Sequence, residues 1–227
     1  MNDIQHNIQK TKTQIREWEI RYQRKPSSVS LLAVSKKQSI EKIRDAIRAG
    51  QMAFGENYLQ ESLEKISALS DENIEWHFIG SIQSNKTKKI AEHFAWVHTI
   101  DDINIAKRLN EQRPAHLPPL NICLQVNTSL EVTKSGIDPE HVLSLAEYCK
   151  TLAHLKLRGL MTIPAHKNTF DEQCAELRKL RLIYNELNER GFQLDTLSMG
   201  MSDDMEAAIA EGATIVRIGT AIFGKRA

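Results

Sequence analysis

The chain has 227 residues, 41% hydrophobic and 26% charged, with a formal net charge of +1. That length suits one α/β domain, able to bury a full core without disulfides or a structural metal. So even a charge offers little to nucleic acid or an anionic membrane as partner.

Charged residues run through the first 25 positions, so no signal peptide is expected. No apolar run approaches the roughly 18 residues of a membrane span. A cytoplasmic location follows as the expectation. Cys123, Cys149 and Cys174 are odd in number, lie far apart and form no CxxC pair, which predicts reduced, buried thiols.

Residues 2–25 place Ile4, Ile8, Ile15 and Trp18 at helical spacing, ended by Pro26. The chain then alternates short Val/Ile/Leu runs with longer segments of helical period. The first run, 31–36, leads to a helix from Ser39 that carries Ile40, Ile43 and Ile47 and stops at Gly50. Runs at 52–57, 74–80 and 94–101 follow, each with its helix. The fifth, 120–127, precedes a helix opened by Asp138 with Pro139 at its first position. The sixth, 155–163, precedes a long helix from Phe170 that is closed by Gly191. The seventh, 194–200, precedes a short helix capped near Ser202, and the eighth is 214–220.

Eight strand-then-helix units predict a (β/α)8 TIM barrel in a single domain, 1–227, with the helix of residues 1–25 packed outside it. A doubly wound open sheet is the alternative on pattern alone.

Barrel chemistry sits at the C-terminal ends of the strands. Those ends carry Ser35-Lys36-Lys37, Gly55-Glu56-Asn57, Gly80-Ser81, Met199-Gly200-Met201-Ser202 and Arg217-Ile218-Gly219-Thr220. Gly200 and Gly219 leave room for backbone to approach a ligand. Ser202 offers a hydroxyl at a helix start, where an anion is favoured. The ends of strands seven and eight form the usual phosphate site of such barrels. Turns and a plain N-cap explain the same residues equally well.

A strand-end lysine is ordinarily a solvated charge, but one aimed into a barrel mouth can attack a carbonyl as the neutral amine. Spacing alone does not choose between Lys36 and Lys37, because adjacent residues face opposite ways. His77, inside an apolar run, reads first as a satisfied core histidine. His93 and His98 lack a third ligand at metal spacing, so no metal is expected. Lys86, Lys88 and Lys89 read as a solvated helix face.

Seven segments in order resemble the YggS/PROSC family of pyridoxal 5′-phosphate (PLP) homeostasis proteins. They are Leu31-Leu32-Ala33-Val34-Ser35-Lys36, Phe54-Gly55-Glu56-Asn57-Tyr58, the stretch from Trp76-His77-Phe78 to Asn85-Lys86, Lys134-Ser135-Gly136, Arg158-Gly159-Leu160-Met161, Leu197-Ser198-Met199-Gly200-Met201-Ser202-Asp203 and Arg217-Ile218-Gly219-Thr220-Ala221-Ile222-Phe223-Gly224. Residues before 28 carry no such motif.

The resemblance implies the fold of the N-terminal barrel of alanine racemase and PLP as cofactor. It implies a Schiff base on Lys36 rather than Lys37, and the cofactor phosphate on Ser202, Gly219 and Thr220. Arg217 is implied beside the pyridine nitrogen, Asn57 as a further cofactor contact, and His77 and Met201 at the mouth.

An arginine there opposes ring protonation and leaves a poorer electron sink. The sequence ends at Ala227 directly after strand eight, so no C-terminal domain is expected over the mouth. The expected function is holding and releasing PLP without a dominant reaction, as a monomer, with apo forms of PLP-dependent enzymes as recipients. A PLP-dependent racemase of narrow range is the alternative, and a Schiff-base aldolase without PLP is a third reading.

Overall fold

Branched aliphatic side chains pack well on a pleated surface. In the computed structural model, which describes residues 3–129 and 135–224, the apolar runs form parallel strands accordingly. These are β1 (Ser30–Val34), β2 (Ala53–Glu56), β3 (Glu75–Phe78), β4 (Trp96–Ile100), β5 (Leu120–Gln125), β6 (Leu155–Met161), β7 (Thr196–Ser198) and β8 (Ile215–Ile218). They pair in sequence order, and β8 returns to β1 to close a barrel. The helices are α1 (Asp3–Arg21), α2 (Ile40–Arg48), α3 (Leu59–Ala68), α4 (Thr87–His93), α5 (Ile103–Gln112), α6 (Val142–Lys150), α7 (Phe170–Glu189), α8 (Met205–Ala210) and α9 (Thr220–Phe223). The expected (β/α)8 barrel is therefore the fold, and the open-sheet alternative is excluded.

Strand side chains divide between two environments. Phe54, Trp76, Phe78 and Val97 face outward and join Ile43, Ile90, Leu109 and Leu177 of the helices in one large core. Trp96, Cys123 and Met161 form a separate cluster inside the barrel. All three cysteines are buried free thiols, and burial pushes Cys123 and Cys149 up to about 12. No described helix is long and apolar enough to cross a membrane.

Ser39 caps α2 as expected, accepting from the Lys42 N–H, and Gly50 follows it at φ +74°. Thr169 and Glu172 form a capping box on α7, and Gly191 follows it at φ +89°. Several boundaries differ from the sequence reading. The N-terminal helix ends at Arg21, where Gln23 takes φ +53°, well before Pro26. A 3-10 turn of Pro139–His141 precedes α6, and Asp138 makes no side-chain cap bond. The helix expected near Ser202 begins at Met205 behind Asp204, because residues 202–204 are spent in a turn. The motif residue Lys134 lies outside the described residues.

Helix α1 is anchored by a buried charge. Glu19 is 2% exposed and accepts from the N–H groups of Ser27 (3.0 Å) and Val29 (2.8 Å) just before β1. Hydrogen bonds to a charged group are worth about 1.5–3 kcal/mol each and do not simply add. Glu19→Ala is expected to cost about 3 kcal/mol. At about 2–4 °C per kcal/mol for this size, the thermal midpoint falls by roughly 6–12 °C in a melting scan. A change within error would show that the α1 anchor is not energetically significant.

Candidate functional site

The C-terminal ends of the strands surround a cavity of about 520 Å3, within the usual size range of small-molecule sites. Lys36, Asn57, Met201, Ser202, Arg217, Gly219 and Thr220, singled out from sequence, all line it. Its apolar wall includes Val34, Ile79, Met161 and Ile163, and Asp203 lies at the exposed edge beside Ser202. A smaller cavity of about 280 Å3 adjoins it, sharing Asn57, Ile79 and Ile163.

Lys36 follows β1 in a turn and is partly buried. Its neighbour Lys37 sits at φ +59°, exposed, with its ammonium 5.7 Å from the centre of the Tyr58 ring. Lys37 does not line the cavity. The lysine ambiguity of the sequence is thus a geometric difference: one of the pair faces the cavity and the other faces solvent.

The strand ends beneath Lys36 and Asn57 are clamped together. Ser35 Oγ donates to Glu56 Oε1 at 2.6 Å, and Lys65 Nζ donates to the same oxygen and to the Ser35 carbonyl, each at 2.7 Å. Burial pushes the Glu56 carboxyl up, and Lys65 opposes that shift. Lys65 was not singled out from sequence, since its i,i+4 spacing to Glu61 reads as an ordinary surface pair. It is 4% exposed.

Arg217 is 4% exposed yet lines the cavity. Nη1 donates to the Ser198 carbonyl (2.6 Å) and hydroxyl (2.9 Å), and Nη2 donates to the Thr162 carbonyl at 2.8 Å. Burial lowers its pKa to about 10, with Asp204 opposing the shift. The guanidinium stays charged at neutral pH.

Asp204, absent from the sequence reading, accepts from the Met201 N–H at 2.6 Å and so fixes the loop carrying Ser202. Helix α9, also unforeseen, opens at Thr220. First-turn N–H groups of a helix have no acceptor within it, which suits an anion.

Two expectations are corrected. His77 does not line the mouth: it is 2% exposed inside the barrel, stacked on Trp96 at 5.3 Å and bonded to His98 and Glu75. The core reading of His77 is the one that holds. Gly200 does not line the cavity either. Its φ is +95°, and a Cβ there would lie 2.5 Å from that of Ala208, so its role is to turn the chain against α8. Gly219 does line the cavity, and a Cβ there would press on the Val34 carbonyl at 3.3 Å.

One buried polar atom at the cavity is unsatisfied. Asn57 Oδ1 has no hydrogen-bond partner among the described residues, an arrangement that costs about 1–3 kcal/mol and is uncommon without a ligand or water to meet it. The donor set beside it, an amine, a guanidinium and a hydroxyl, fits a small molecule that carries a carbonyl and an anionic group. No group of His, Cys, Asp and Glu suited to a metal occurs among the described residues.

The family model described as alanine racemase, N-terminal domain, matches residues 1–227. A curated relative from Pseudomonas aeruginosa, named pyridoxal phosphate homeostasis protein, is 56% identical over 100% of this chain and 97% of its own. PipY of Synechococcus elongatus, solved with PLP bound, is 37% identical with a TM-score of 0.80, covering 92% of this chain and 100% of PipY. Alanine racemase of Clostridium difficile shares the fold at 14% identity and a TM-score of 0.74, covering 98% of this chain and 59% of the racemase. The chain belongs to the alanine racemase N-terminal-domain family and, within it, to the pyridoxal phosphate homeostasis proteins of the YggS/PROSC group.

Proposed function

We propose that this protein binds PLP at the barrel mouth and serves to hold and release it, without a dominant reaction of its own. The observation that carries the reading is the convergence of Lys36, Asn57, Ser202, Arg217, Gly219 and Thr220 on one cavity, in a chain whose relatives are named for PLP homeostasis. Bound PLP supplies an aldehyde open to a lysine amine and a chromophore that reports its surroundings.

Lys36 Nζ would be the point of covalent attachment. The Ser202 hydroxyl and the backbone at Gly219 and Thr220, where α9 opens, would hold the phosphate. Arg217 would lie beside the pyridine nitrogen and, as a fixed positive charge, would oppose a proton there. The carboxylate of Asp203, beside Ser202, sits at the exposed edge where solvent and salt screen it. Asn57 Oδ1 meets a donor on the ligand or an ordered water.

A holding role needs release, and recipients are apo forms of PLP-dependent enzymes. The test is the rate at which PLP-loaded protein activates an apo-enzyme, compared with free PLP at the same concentration. Transfer that outpaces release into solution supports delivery. Transfer limited by release leaves buffering as the whole function. Incubation with L-amino acids in deuterated water should leave their α-protons in place; rapid exchange with any of them would establish a racemase-like enzyme instead.

A further inference from the structure

A continuous file of hydrogen bonds crosses the barrel interior beneath the cavity. Arg217 Nη1 donates to Ser198 Oγ at 2.9 Å, and that oxygen lies 2.8 Å from His98 Nδ1. His98 Nε2 lies 2.9 Å from His77 Nδ1, and His77 Nε2 lies 2.9 Å from Glu75 Oε1. Ser198, His98 and His77 are at most 2% exposed. Glu75 is the first residue of β3, at the opposite end of the barrel from the cavity, and its side chain is 52% exposed.

The proton order along this file follows from its ends. An arginine only donates and an ionised carboxylate only accepts. Each neutral imidazole has one N–H and one lone pair, and a hydroxyl has one proton. Four contacts then require that Ser198 donates to His98, His98 Nε2–H to His77, and His77 Nε2–H to Glu75. Any other order leaves two lone pairs or two protons facing each other in the buried interior. The groups facing Glu75 agree with this: His77, Trp96 and Arg158 all favour its ionised form. Burial favours the neutral form of both histidines.

We propose that Glu75 is a positioning residue which, by accepting at the far end of this relay, fixes the tautomers of His77 and His98 and keeps the Ser198 hydroxyl turned to receive Arg217. Reversing the relay would place the His98 Nδ1–H against Ser198 Oγ. The serine proton would lose its acceptor and turn toward the guanidinium. Arg217 would then be held less firmly at the cavity floor. The consequence for the cofactor rests on the PLP reading above; the consequence for the histidines and Arg217 does not.

Glu75→Gln keeps an acceptor, the amide oxygen, in the same place. Glu75→Lys puts a donor there and opposes the native order. Glu75→Met, which removes the acceptor without adding charge, covers the case in which the lysine variant folds poorly. The first readout is nitrogen NMR of cofactor-free protein labelled at histidine and arginine. The wild type and Glu75→Gln are expected to show both histidines as Nε2–H tautomers. Glu75→Lys is expected to move His77 and His98 to the Nδ1–H form and to shift the Arg217 Nε resonance. Unchanged tautomers in Glu75→Lys and in Glu75→Met would overturn the relay. Altered tautomers with an unmoved Arg217 resonance would overturn its link to Arg217.

The second readout is PLP titration. Glu75→Lys is expected to lose several-fold in affinity and to shift the visible band, and Glu75→Gln to match the wild type. A wild type that takes up no PLP would defeat the cofactor reading, while the NMR result on the same samples would still decide the relay.

Discussion

Lys36→Ala is expected to abolish covalent attachment of PLP. Borohydride treatment of the loaded wild type should fix the cofactor on the peptide containing Lys36, and the variant should carry none. Lys37→Ala should behave as the wild type, since Lys37 is exposed and outside the cavity. The variant at Lys36 should still bind PLP reversibly. Its remaining affinity comes from the phosphate contacts alone. Hydrogen bonds to a charged group contribute about 1.5–3 kcal/mol each, do not simply add, and must also offset the entropy lost on binding, so the cofactor is expected to be lost on dialysis. Equal PLP retention by Lys36→Ala after dialysis, or label on another lysine, would show that the main anchor lies elsewhere. Ser202→Ala tests the complementary half: label on Lys36 persists, but the PLP concentration needed to reach it rises.

The site was legible in the sequence to the extent that chemistry collects at strand ends. Each apolar run overlaps an observed strand, and the residues just past β1, β2, β7 and β8 line the cavity. What stayed hidden has physical causes. Strands of a parallel barrel are buried on both faces, so their sequences do not alternate in polarity. His77 in Glu75-Trp76-His77-Phe78 could therefore be assigned to neither face, and nothing tied it to His98 or Ser198. Those partners lie 21 and 121 residues away in sequence.

By residue type Ser202 suits a helix cap. The positive φ of Gly200 instead directs the chain into a turn that Asp204 closes on Met201. Helix α9 is only four residues long, too short to show a period. Lys65 carries no signal of burial in sequence because its buried partners, Ser35 and Glu56, belong to other elements.

Gly159→Ala is expected to be the most destabilising single-methyl change at a glycine of the barrel wall. Gly159 lies within β6, paired to Cys123 of β5 just after a register shift and to Thr196 of β7. A Cβ at this position would fall 1.7 Å from the Thr196 carbonyl oxygen. Glycine inside a strand often marks such a close approach of another backbone. The obstacle is main chain, so no side chain can rotate away, and β7 has only three residues with which to absorb a shift. Overpacking costs about 1–3 kcal/mol and occasionally more; a backbone clash belongs at the upper end, about 3 kcal/mol or above.

Gly191→Ala provides the comparison. It has φ +89°, and a methyl group there would meet nothing within 4 Å, so only backbone strain applies, about 1–2 kcal/mol. Thermal or denaturant unfolding should rank Gly159→Ala below Gly191→Ala. The two should differ in function as well. Strand β7 ends at Ser198, whose carbonyl and hydroxyl hold Arg217. A displaced β7 therefore weakens PLP binding, whereas Gly191 follows α7 and is remote from the cavity lining. Equal stability of the two variants would mean that β6 and β7 absorb the clash at no more than the cost of that strain, about 1–2 kcal/mol. Lowered stability of Gly159→Ala with unchanged PLP affinity would mean that Arg217 keeps its place without Ser198.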